Sequence, residues 1–234
     1  MRLHRFYTNQ KIEDETIHID NSDLIHQWRN VFRYMVGAQV IVFNGDGYDY
    51  LCMIGELHNR TASLAVVSRK KSILPERKIG LVIALVKKDT MEWIIEKATE
   101  LGVSEVFPIT AERSEKKSLN MERATKIAIE ASEQSGRGDI VEIFDPVDLS
   151  DFLASKEMKT YEERIIFHTG KSKTDRFAGD NQSTPILLAI GPEGGWSDRD
   201  ITLFSQQGFV LRSLGDVTLR AETAVIVALA RLEV

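Results

Sequence analysis

The sequence predicts an α/β protein made of two domains, a small β-rich domain followed by a larger one in which strands and helices alternate. The first 72 residues hold no long helical pattern, whereas apolar runs and amphipathic segments follow one another from residue 79 onward. Residues 69–78, between these regions, are charged and contain Pro75. We therefore predict one domain over residues 1–72 and a second over residues 73–234.

A hairpin is the clearest structural signal in the first domain. Residues 44–47 read Asn-Gly-Asp-Gly, residue types that accept positive φ, and apolar runs flank them at 40–43 and 48–54. The run at 62–67 predicts another strand. These strands predict a small β-barrel.

One short helix interrupts the predicted barrel. Ser22 is the expected N-cap of a helix over residues 23–31, in which Leu24, Trp28 and Val31 share one face. We expect that face to pack against the strands.

The second domain alternates predicted strands with predicted helices. The strands cover residues 79–86, 103–109, 164–168, 186–190 and 209–214, and the helices cover 89–101, 120–135, 148–155, 197–207 and 221–232. Asp89 is the expected cap of the first of these helices, and Gly102 ends it. Near-continuous apolar strands indicate a parallel sheet covered on both faces, and ligands of such sheets bind beyond the carboxyl ends of the strands.

Composition narrows the class of protein. The chain has 234 residues, a net charge of −5 and 43% hydrophobic residues, which fits a folded protein with a substantial core. Its single cysteine, Cys52, cannot form an internal disulfide and is interpreted as a core residue. No apolar run reaches 18 residues and the N-terminus lacks the apolar stretch of a signal peptide, so we expect a cytoplasmic protein without a membrane anchor. The five histidines lack metal-ligand spacing, so no metal is expected.

A glycine-rich turn carries the strongest functional signal. The apolar run 186–190 leads directly into residues 191–195, Gly-Pro-Glu-Gly-Gly, where backbone amides can approach a ligand closely. The turns that follow His168 and Leu214 are expected at the same edge of the sheet. No G-x-G-x-x-G or G-x-S-x-G motif occurs, so neither a nicotinamide site nor a hydrolase nucleophile is indicated. The pattern predicts a binding site built from three loops.

Several longer segments carry a resemblance to a known family. These are Arg2-Leu3-His4-Arg5-Phe6-Tyr7, His26-Gln27-Trp28-Arg29-Asn30-Val31-Phe32-Arg33, Lys87-Lys88-Asp89-Thr90-Met91-Glu92-Trp93, Lys97-Ala98-Thr99-Glu100-Leu101-Gly102-Val103, Glu130-Ala131-Ser132-Glu133-Gln134-Ser135-Gly136-Arg137, Ile190-Gly191-Pro192-Glu193-Gly194-Gly195 and Leu219-Arg220-Ala221-Glu222-Thr223-Ala224. In this order, and over almost the whole length, the chain resembles the ribosomal RNA uridine-N3 methyltransferases of the SPOUT superfamily, which modify small-subunit (16S) rRNA.

The resemblance implies a fold, a cofactor and partners. It implies a PUA-like RNA-binding barrel over residues 1–72 and an S-adenosylmethionine-binding α/β domain with a trefoil knot over residues 73–234. It also implies a homodimer that acts on 16S rRNA of the small ribosomal subunit. The apolar residues of the last helix are then either interface or core: Ala224, Val225, Val227, Ala228 and Ala230.

The resemblance also assigns roles to residues of this sequence. The expected cofactor contacts are His168, Thr169, Ile190, Gly191, Pro192, Glu193, Gly194, Gly195, Leu214, Gly215, Leu219, Arg220, Glu222, Thr223 and Ala224. The expected RNA contacts are Arg2, Arg5, Phe6, Arg29, Arg33, Lys87, Lys88, Arg113 and Arg137. The expected catalytic residues are Arg220, Glu193 and Glu222.

The catalytic roles leave alternatives open. Arg220 either stabilises charge on the uracil oxygens or forms an ion pair with Glu193 or Glu222. Each of the two glutamates is either a general base or a group that positions Arg220. Two other functions also remain open for the chain: a ribose 2′-O-methyltransferase of the same superfamily, and a non-catalytic RNA-binding factor of ribosome assembly.

Overall fold

The computed structural model describes residues 3–12, 15–115, 118–169 and 183–232. The chain divides into two compact units, the first made of Met1–Leu74 with Ser132–Asp139 and the second made of Pro75–Ala131 with Ile140–Val234. Both units combine strands and helices, so the predicted α/β class is confirmed. Among the described residues, no helix has the length and apolar character needed to span a membrane.

The first unit is built on a five-stranded sheet. Its strands are β1 (Arg5–Tyr7), β2 (Thr16–Ile19), β3 (Gln39–Phe43), β4 (Tyr48–Leu57) and β5 (Ala62–Lys71), in the order β1-β3-β4-β5-β2. The β1–β3 pairing is parallel and the others are antiparallel. The hairpin around residues 44–47 is confirmed, and Cys52 is a fully buried core residue as predicted. The sequence did not indicate β1 and β2.

The short helix of the first unit differs from the prediction. Helix α1 (Ser22–His26) is capped by Asn21, whose Oδ1 accepts hydrogen bonds from two backbone amides, so the assignment of Ser22 as the cap was wrong. The chain continues as a π-helix over Gln27–Val31. This wider turn shifts the side chains around the axis, which leaves Trp28 buried but Val31 exposed.

The second unit contains a seven-stranded parallel sheet within the described residues. Its strands are β6 (Ile79–Ala84), β7 (Glu105–Thr110), β8 (Glu142–Ile143), β9 (Val147–Asp148), β10 (Glu163–Phe167), β11 (Ile186–Ile190) and β12 (Val210–Arg212). Their order is β12-β10-β11-β6-β7-β8, and β9 also pairs with β7. Every residue of β6 and β11 is buried, as expected for strands covered on both faces.

Helices cover both faces of this sheet. They are α2 (Lys88–Glu100), α3 (Met121–Ser135), α4 (Leu149–Ala154), α5 (Lys156–Lys159), α6 (Asp198–Gln206) and α7 (Ala221–Ala230). The core on one face includes residues of α2, α3 and α7, and the core on the other includes residues of α4, α5 and α6. The predicted strand and helix alternation is therefore confirmed.

Two predicted boundaries of the second unit were wrong. The N-cap of α2 is Lys87 and makes no side-chain cap, so Asp89 lies inside the first turn instead of capping it. Strand β7 begins at Glu105, because the amide of Val103 still bonds to the Ala98 carbonyl and completes the end of α2.

Candidate functional site

The carboxyl ends of three neighbouring strands open on one cavity of the second unit. The cavity has a volume of about 430 Å³ and lies between the loops that follow β10, β11 and β12. Small-molecule pockets in proteins typically measure roughly 300–1,000 Å³. The three-loop site expected from the sequence is therefore large enough for a drug-sized ligand.

Most of the predicted cofactor residues line this cavity. They are His168, Thr169, Ile190, Gly191, Pro192, Glu193, Gly194, Gly195, Leu214, Gly215, Leu219, Arg220 and Ala224. Glu222 and Thr223 lie in the first turn of α7 and are not among the lining residues. Lining residues that the sequence did not assign to the cofactor are Arg113, Phe167, Trp196, Ser213, Val217, Thr218 and Ala221.

The loop after β11 folds over a buried tryptophan. Its turn is closed by a hydrogen bond of 2.8 Å from the Gly195 amide to the Pro192 carbonyl, and Gly195 has a φ of 68°, which favours glycine. The Trp196 indole nitrogen donates to the Phe167 carbonyl at 3.1 Å, which ties this loop to the end of β10. A Cβ atom on Gly191 would lie 3.1 Å from the Trp196 ring. Glycine at position 191 therefore lets the chain pass directly over the indole.

The loop after β7 braces the same segment from another side. Arg113 Nη1 donates to the carbonyls of Gly194 and Trp196 at 3.0 and 3.4 Å. The neighbouring Glu112 accepts a hydrogen bond of 2.8 Å from the hydroxyl of Ser197, which caps α6. Arg113 was expected to bind RNA, but its guanidinium is here a support of the glycine loop. Nothing local in the sequence marks this contact.

Glu193 lies at the beginning of α2. Its Oε1 is 3.5 Å from the Lys87 amide, at a helix end that has no side-chain cap of its own. A carboxylate at this end interacts favourably with the helix dipole. This placement favours a positioning role for Glu193 over a role as general base.

Arg220 is exposed at the cavity and is the N-cap of α7. No salt bridge within the described ranges includes Arg220, so the alternative of an ion pair with Glu193 or Glu222 is not formed there. Glu222 lies in the first turn of α7, where its charge complements the helix dipole. The Arg220 guanidinium is thus available to a ligand in the cavity.

The loops after β10 and β12 are also held by hydrogen bonds. The backbone amide of His168 donates to the Arg212 carbonyl at 3.0 Å and extends the pairing of these strands. Arg231, just past α7, donates to the Leu214 carbonyl at 2.8 Å. The Ser213 hydroxyl accepts from the Gly215 amide at 3.2 Å. The described residues at the start of these loops are therefore held in place by hydrogen bonds within the second unit.

Arg5, which was expected to contact RNA, is part of a buried network in the first unit. Its Nη2 lies 2.7 Å from Asp49 Oδ1, and the side chains of this pair are only 8% and 6% exposed. Arg5 also donates to the carbonyls of Ser132 and Arg137 at 2.9 and 3.1 Å, and its guanidinium lies 4.2 Å from the centre of the Phe43 ring. Its donors face protein groups, so the prediction of an RNA contact is corrected.

Two more predicted RNA contacts are buried. Phe6 is 1% exposed and belongs to the core of the first unit. Arg137 makes two hydrogen bonds to Asp139, at 2.8 and 2.7 Å, with its side chain 6% exposed. Neither side chain can reach RNA without leaving these contacts, so both assignments are corrected.

The remaining predicted RNA contacts are exposed or lie outside the described residues. Arg2 lies outside them. The exposed residues are Arg29, Arg33, Lys87 and Lys88. Arg29 bonds to Asn59, and Lys88 Nζ lies 3.7 Å from Glu92. No group of three or more potential metal ligands occurs among the residues that the structure describes.

Sequence comparisons find relatives over almost the whole chain. Residues 74–233 match the family model of an RNA methyltransferase domain. The ribosomal RNA small subunit methyltransferase E of Bacillus subtilis is 31% identical over 237 residues, covering 95% of this chain and 91% of its own. The Aquifex aeolicus protein of the same name is 34% identical over 189 residues, covering 77% of this chain and 79% of its own.

Solved structures with the same fold include two that hold the cofactor SAM. A Legionella pneumophila protein in complex with SAM matches with a TM-score of 0.89 and 31% identity, covering 98% of this chain and 96% of its own. The ribosomal RNA small subunit methyltransferase E of Neisseria gonorrhoeae, bound to S-adenosyl methionine, matches with a TM-score of 0.86 and 25% identity, again covering 98% and 96%. With the family model and the relatives of other bacteria, these matches show that the chain belongs to the ribosomal RNA small subunit methyltransferase E family of RNA methyltransferases.

Proposed function

We propose that this protein transfers a methyl group from S-adenosylmethionine to N3 of a specific uridine in 16S rRNA. One observation carries the proposal: described residues that follow β10, β11 and β12 line one cavity in a chain of the small subunit methyltransferase E family. The fold also matches that of the SAM-bound Neisseria gonorrhoeae enzyme. A cytoplasmic location is part of the same proposal, because the proposed substrate is ribosomal RNA.

The lining of the cavity fits this cofactor. Ile190, Leu214 and Leu219 offer apolar contacts for an adenine ring, and backbone groups of the glycine loop offer polar ones. A Cβ atom on Gly194 would approach Arg113 no closer than 3.4 Å, an ordinary contact. Packing within the chain therefore does not demand glycine at position 194, whereas close approach of a ligand to the backbone explains it.

The chemistry at the acceptor assigns a role to Arg220. When bound, the cofactor supplies a methyl group on a positively charged sulfur. Uridine N3 carries a proton at neutral pH, and loss of that proton spreads negative charge onto the flanking carbonyl oxygens. A positioned donor for such charge typically contributes about 2.7–4 kcal/mol to catalysis. Arg220, exposed at the cavity, is the residue that we propose for this role.

The two glutamates have supporting roles in this proposal. Glu193 holds the loop after β11 against the start of α2, and Glu222 stabilises the first turn of α7. The proton of N3 then leaves to solvent or to a group of the RNA, with Arg220 stabilising the anion. Thr223 also lies in the first turn of α7 and does not line the cavity, so we propose that it supports the cofactor site only by being part of this turn.

Two implied features of the assembly belong to the proposal. In the last helix, Val225 and Ala228 are buried within the chain and are core residues, whereas Ala224 and Val227 are half-buried and Ala230 is exposed. Ala224 lines the cavity and packs against the core, so we assign only Val227 and Ala230 to a homodimer interface, which light scattering of the purified protein tests directly. The trefoil knot stays a prediction.

Nucleoside analysis by mass spectrometry tests the proposed function. Small ribosomal subunits that lack the modification are incubated with the protein and S-adenosylmethionine, and the nucleosides of their 16S rRNA are separated. We expect one 3-methyluridine per 16S rRNA. A ribose-methylated nucleoside would indicate the 2′-O-methyltransferase instead. No methylation, together with no heat of S-adenosylmethionine binding in a calorimetric titration, would indicate the non-catalytic assembly factor.

A further inference from the structure

Residues 214–220, here called the 214–220 segment, lie between β12 and α7 and form one side of the cavity. All but one of them line it: Leu214, Gly215, Val217, Thr218, Leu219 and Arg220. The segment includes apolar contacts proposed for the cofactor, Leu214 and Leu219, and ends at the residue proposed to act on the acceptor, Arg220. Its position therefore affects both cofactor binding and methyl transfer.

The middle of the 214–220 segment has little support of its own. Among the described residues, Asp216, Val217 and Thr218 form no hydrogen bond or ion pair. All three are exposed, and the side chain of Val217 is 70% exposed. Residues without hydrogen bonds and with little burial are not fixed by their own contacts. The position of this stretch therefore depends on the groups that hold the two ends of the segment.

Arg231 and Ser213 hold the first end of the segment. Arg231 Nη2 donates to the Leu214 carbonyl at 2.8 Å. The Ser213 hydroxyl donates to the Gly215 carbonyl at 2.9 Å and accepts from the Gly215 amide at 3.2 Å. Ser213 is buried and Arg231 is half-buried, so these bonds are partly shielded from water. The bond from Arg231 has a charged donor, which makes it stronger than a bond between neutral groups.

Helix α7 holds the other end of the segment. Arg220 is its N-cap, and the Arg220 carbonyl accepts from the Ala224 amide at 2.8 Å. Arg231 is the C-cap of the same helix and lies about 16 Å from Arg220 along the axis, at a rise of 1.5 Å per residue. Three residues of α7 are buried in the core between these ends: Val225, Ala228 and Leu229. Both ends of the 214–220 segment are therefore attached to one packed helix.

We propose that Arg231 is a positioning residue for methyl transfer. It fixes Leu214 to the C-terminal end of α7 and so sets where the 214–220 segment begins, which places Leu214 against the cofactor and Arg220 beside the acceptor. Arg231 does not line the cavity itself, so it acts only through this segment. The inference rests on the proposed function and adds a residue to it that lies away from the reacting atoms.

Arg231→Ala separates cofactor binding from the rate of transfer. By calorimetry, we expect the dissociation constant of S-adenosylmethionine to rise about tenfold, as for the loss of one hydrogen bond from a charged donor. By single-turnover kinetics on small subunits that lack the modification, at saturating cofactor, we expect a rate about tenfold lower, because Arg220 is displaced. Arg231→Lys keeps a cationic donor and should recover part of both. If both quantities stay within about twofold of the wild type, the proposal is wrong.

A double-mutant cycle tests whether Arg231 acts through Arg220. In the Arg220→Ala background, Arg231→Ala should lower the rate by no more than about twofold, because no guanidinium is left to displace. The dissociation constant of the cofactor should still rise about tenfold there, because that effect comes from Leu214. A loss of rate of about tenfold in both backgrounds would mean that the two arginines act independently, which contradicts the proposal.

Control measurements separate positioning from a purely structural role. Arg199→Ala, at an exposed arginine of α6, should bind the cofactor and react like the wild type. If Arg231→Ala lowers only the thermal stability, or changes the oligomeric state in light scattering, Arg231 is a structural or interface residue and the proposal is wrong. If Arg231→Ala does not fold, Arg231→Gln provides the same comparison with a neutral donor.

The wild type distinguishes failure of this inference from failure of the proposed function. Wild type that methylates the subunits while the Arg231 variants show no effect leaves the proposed function intact. Wild type that transfers no methyl group contradicts the proposed function itself.

Discussion

Arginines of the two units have different roles, although nothing in the sequence distinguishes them. In the first unit, Arg5 and Arg137 are almost fully buried, and carboxylates and carbonyls bind their guanidinium groups. In the second unit, Arg113 and Arg220 are exposed at a cavity. Burial of the charge separates a structural arginine from a functional one, and burial is set by partners that lie far away in sequence.

The free-energy cost of removing an arginine also depends on its burial. A buried ion pair is surrounded by few water molecules, so removing one partner leaves an uncompensated charge in a poorly solvated place. Removing an exposed arginine from the cavity lining costs little in the free energy of unfolding. Such an arginine contributes to the reaction rate, because it stabilises charge that develops on a bound ligand. Variants of the two groups should therefore fail in opposite assays, stability for the first and activity for the second.

Arg5→Ala gives the largest effect on stability. It leaves Asp49 buried without its closest cation, so we expect a loss of about 3–5 kcal/mol in the free energy of unfolding, measured by urea denaturation. Lys70→Ala is the matched control, because Lys70 is 3.8 Å from the same carboxylate but exposed, and it should cost less than about 1 kcal/mol. Unchanged stability in Arg5→Ala, with a smaller salt slope of RNA binding, would restore Arg5 as an RNA contact.

Arg220→Ala gives the largest effect on catalysis. We expect the rate of methyl transfer to fall by about 10²–10³-fold, the usual loss for one donor to developing negative charge. Thermal unfolding should stay close to that of the wild type, because no ion pair of Arg220 is formed within the described residues. The dissociation constant of S-adenosylmethionine should change much less than the rate, because Arg220 is proposed to donate to the uracil oxygens of the acceptor. Single-turnover kinetics on modification-free subunits measure the rate. A normal rate would remove Arg220 from the mechanism.

Arg113→Ala tests an intermediate case, an exposed arginine whose partners are protein carbonyls. Loss of the brace on Gly194 and Trp196 should weaken S-adenosylmethionine binding about tenfold, as expected for hydrogen bonds from a charged donor. Calorimetry without RNA measures this, and Arg113→Lys should recover part of the affinity. Arg199→Ala, an exposed arginine of α6, is the control. If Arg113→Ala binds the cofactor normally but loses RNA affinity, the original assignment to RNA is right.

Cys52 is a buried neutral group, in contrast to the buried charge of Arg5, and we expect its burial to have the smallest effect on stability. Burial raises the pKa of its thiol to about 12, so the folded state keeps the proton. This stabilisation is complete below the unfolded thiol pKa of about 8.5 and is lost as the pH rises from there toward 12. Native protein at pH 8 should not react with a thiol reagent, whereas urea-unfolded protein should react fully. Rapid labelling of the native protein would show that the site opens.

The sequence revealed the parts of this molecule that depend on local pattern. The buried strands β6 and β11 are continuous apolar runs, and the glycines at 191, 194 and 195 mark the binding loop. The short strand β1 was not recognisable, because its three residues become a strand only by pairing with β3. The π-helix and the left-handed Arg33 have no signature in composition.

Long-range contacts account for most of the corrections at the site. Arg5 looks like an N-terminal cation for RNA until Asp49, Ser132 and Arg137 are brought to it by the fold. The support that Arg113 gives to the glycine loop depends in the same way on β7 and β11 flanking β6 as parallel strands, which brings their carboxyl ends to the same edge of the sheet. Residue type indicated charge in both cases, but only the packed structure indicates what the charge binds.

A crystal structure of the protein with S-adenosylmethionine would show whether the cavity holds the cofactor. We expect the cofactor in the cavity between the loops that follow β10, β11 and β12, with backbone of residues 191–195 against it and the Arg220 guanidinium on the side of the transferable methyl group. A cofactor bound elsewhere on the chain, or in this cavity with its methyl group turned away from Arg220, would show that the proposed site is wrong.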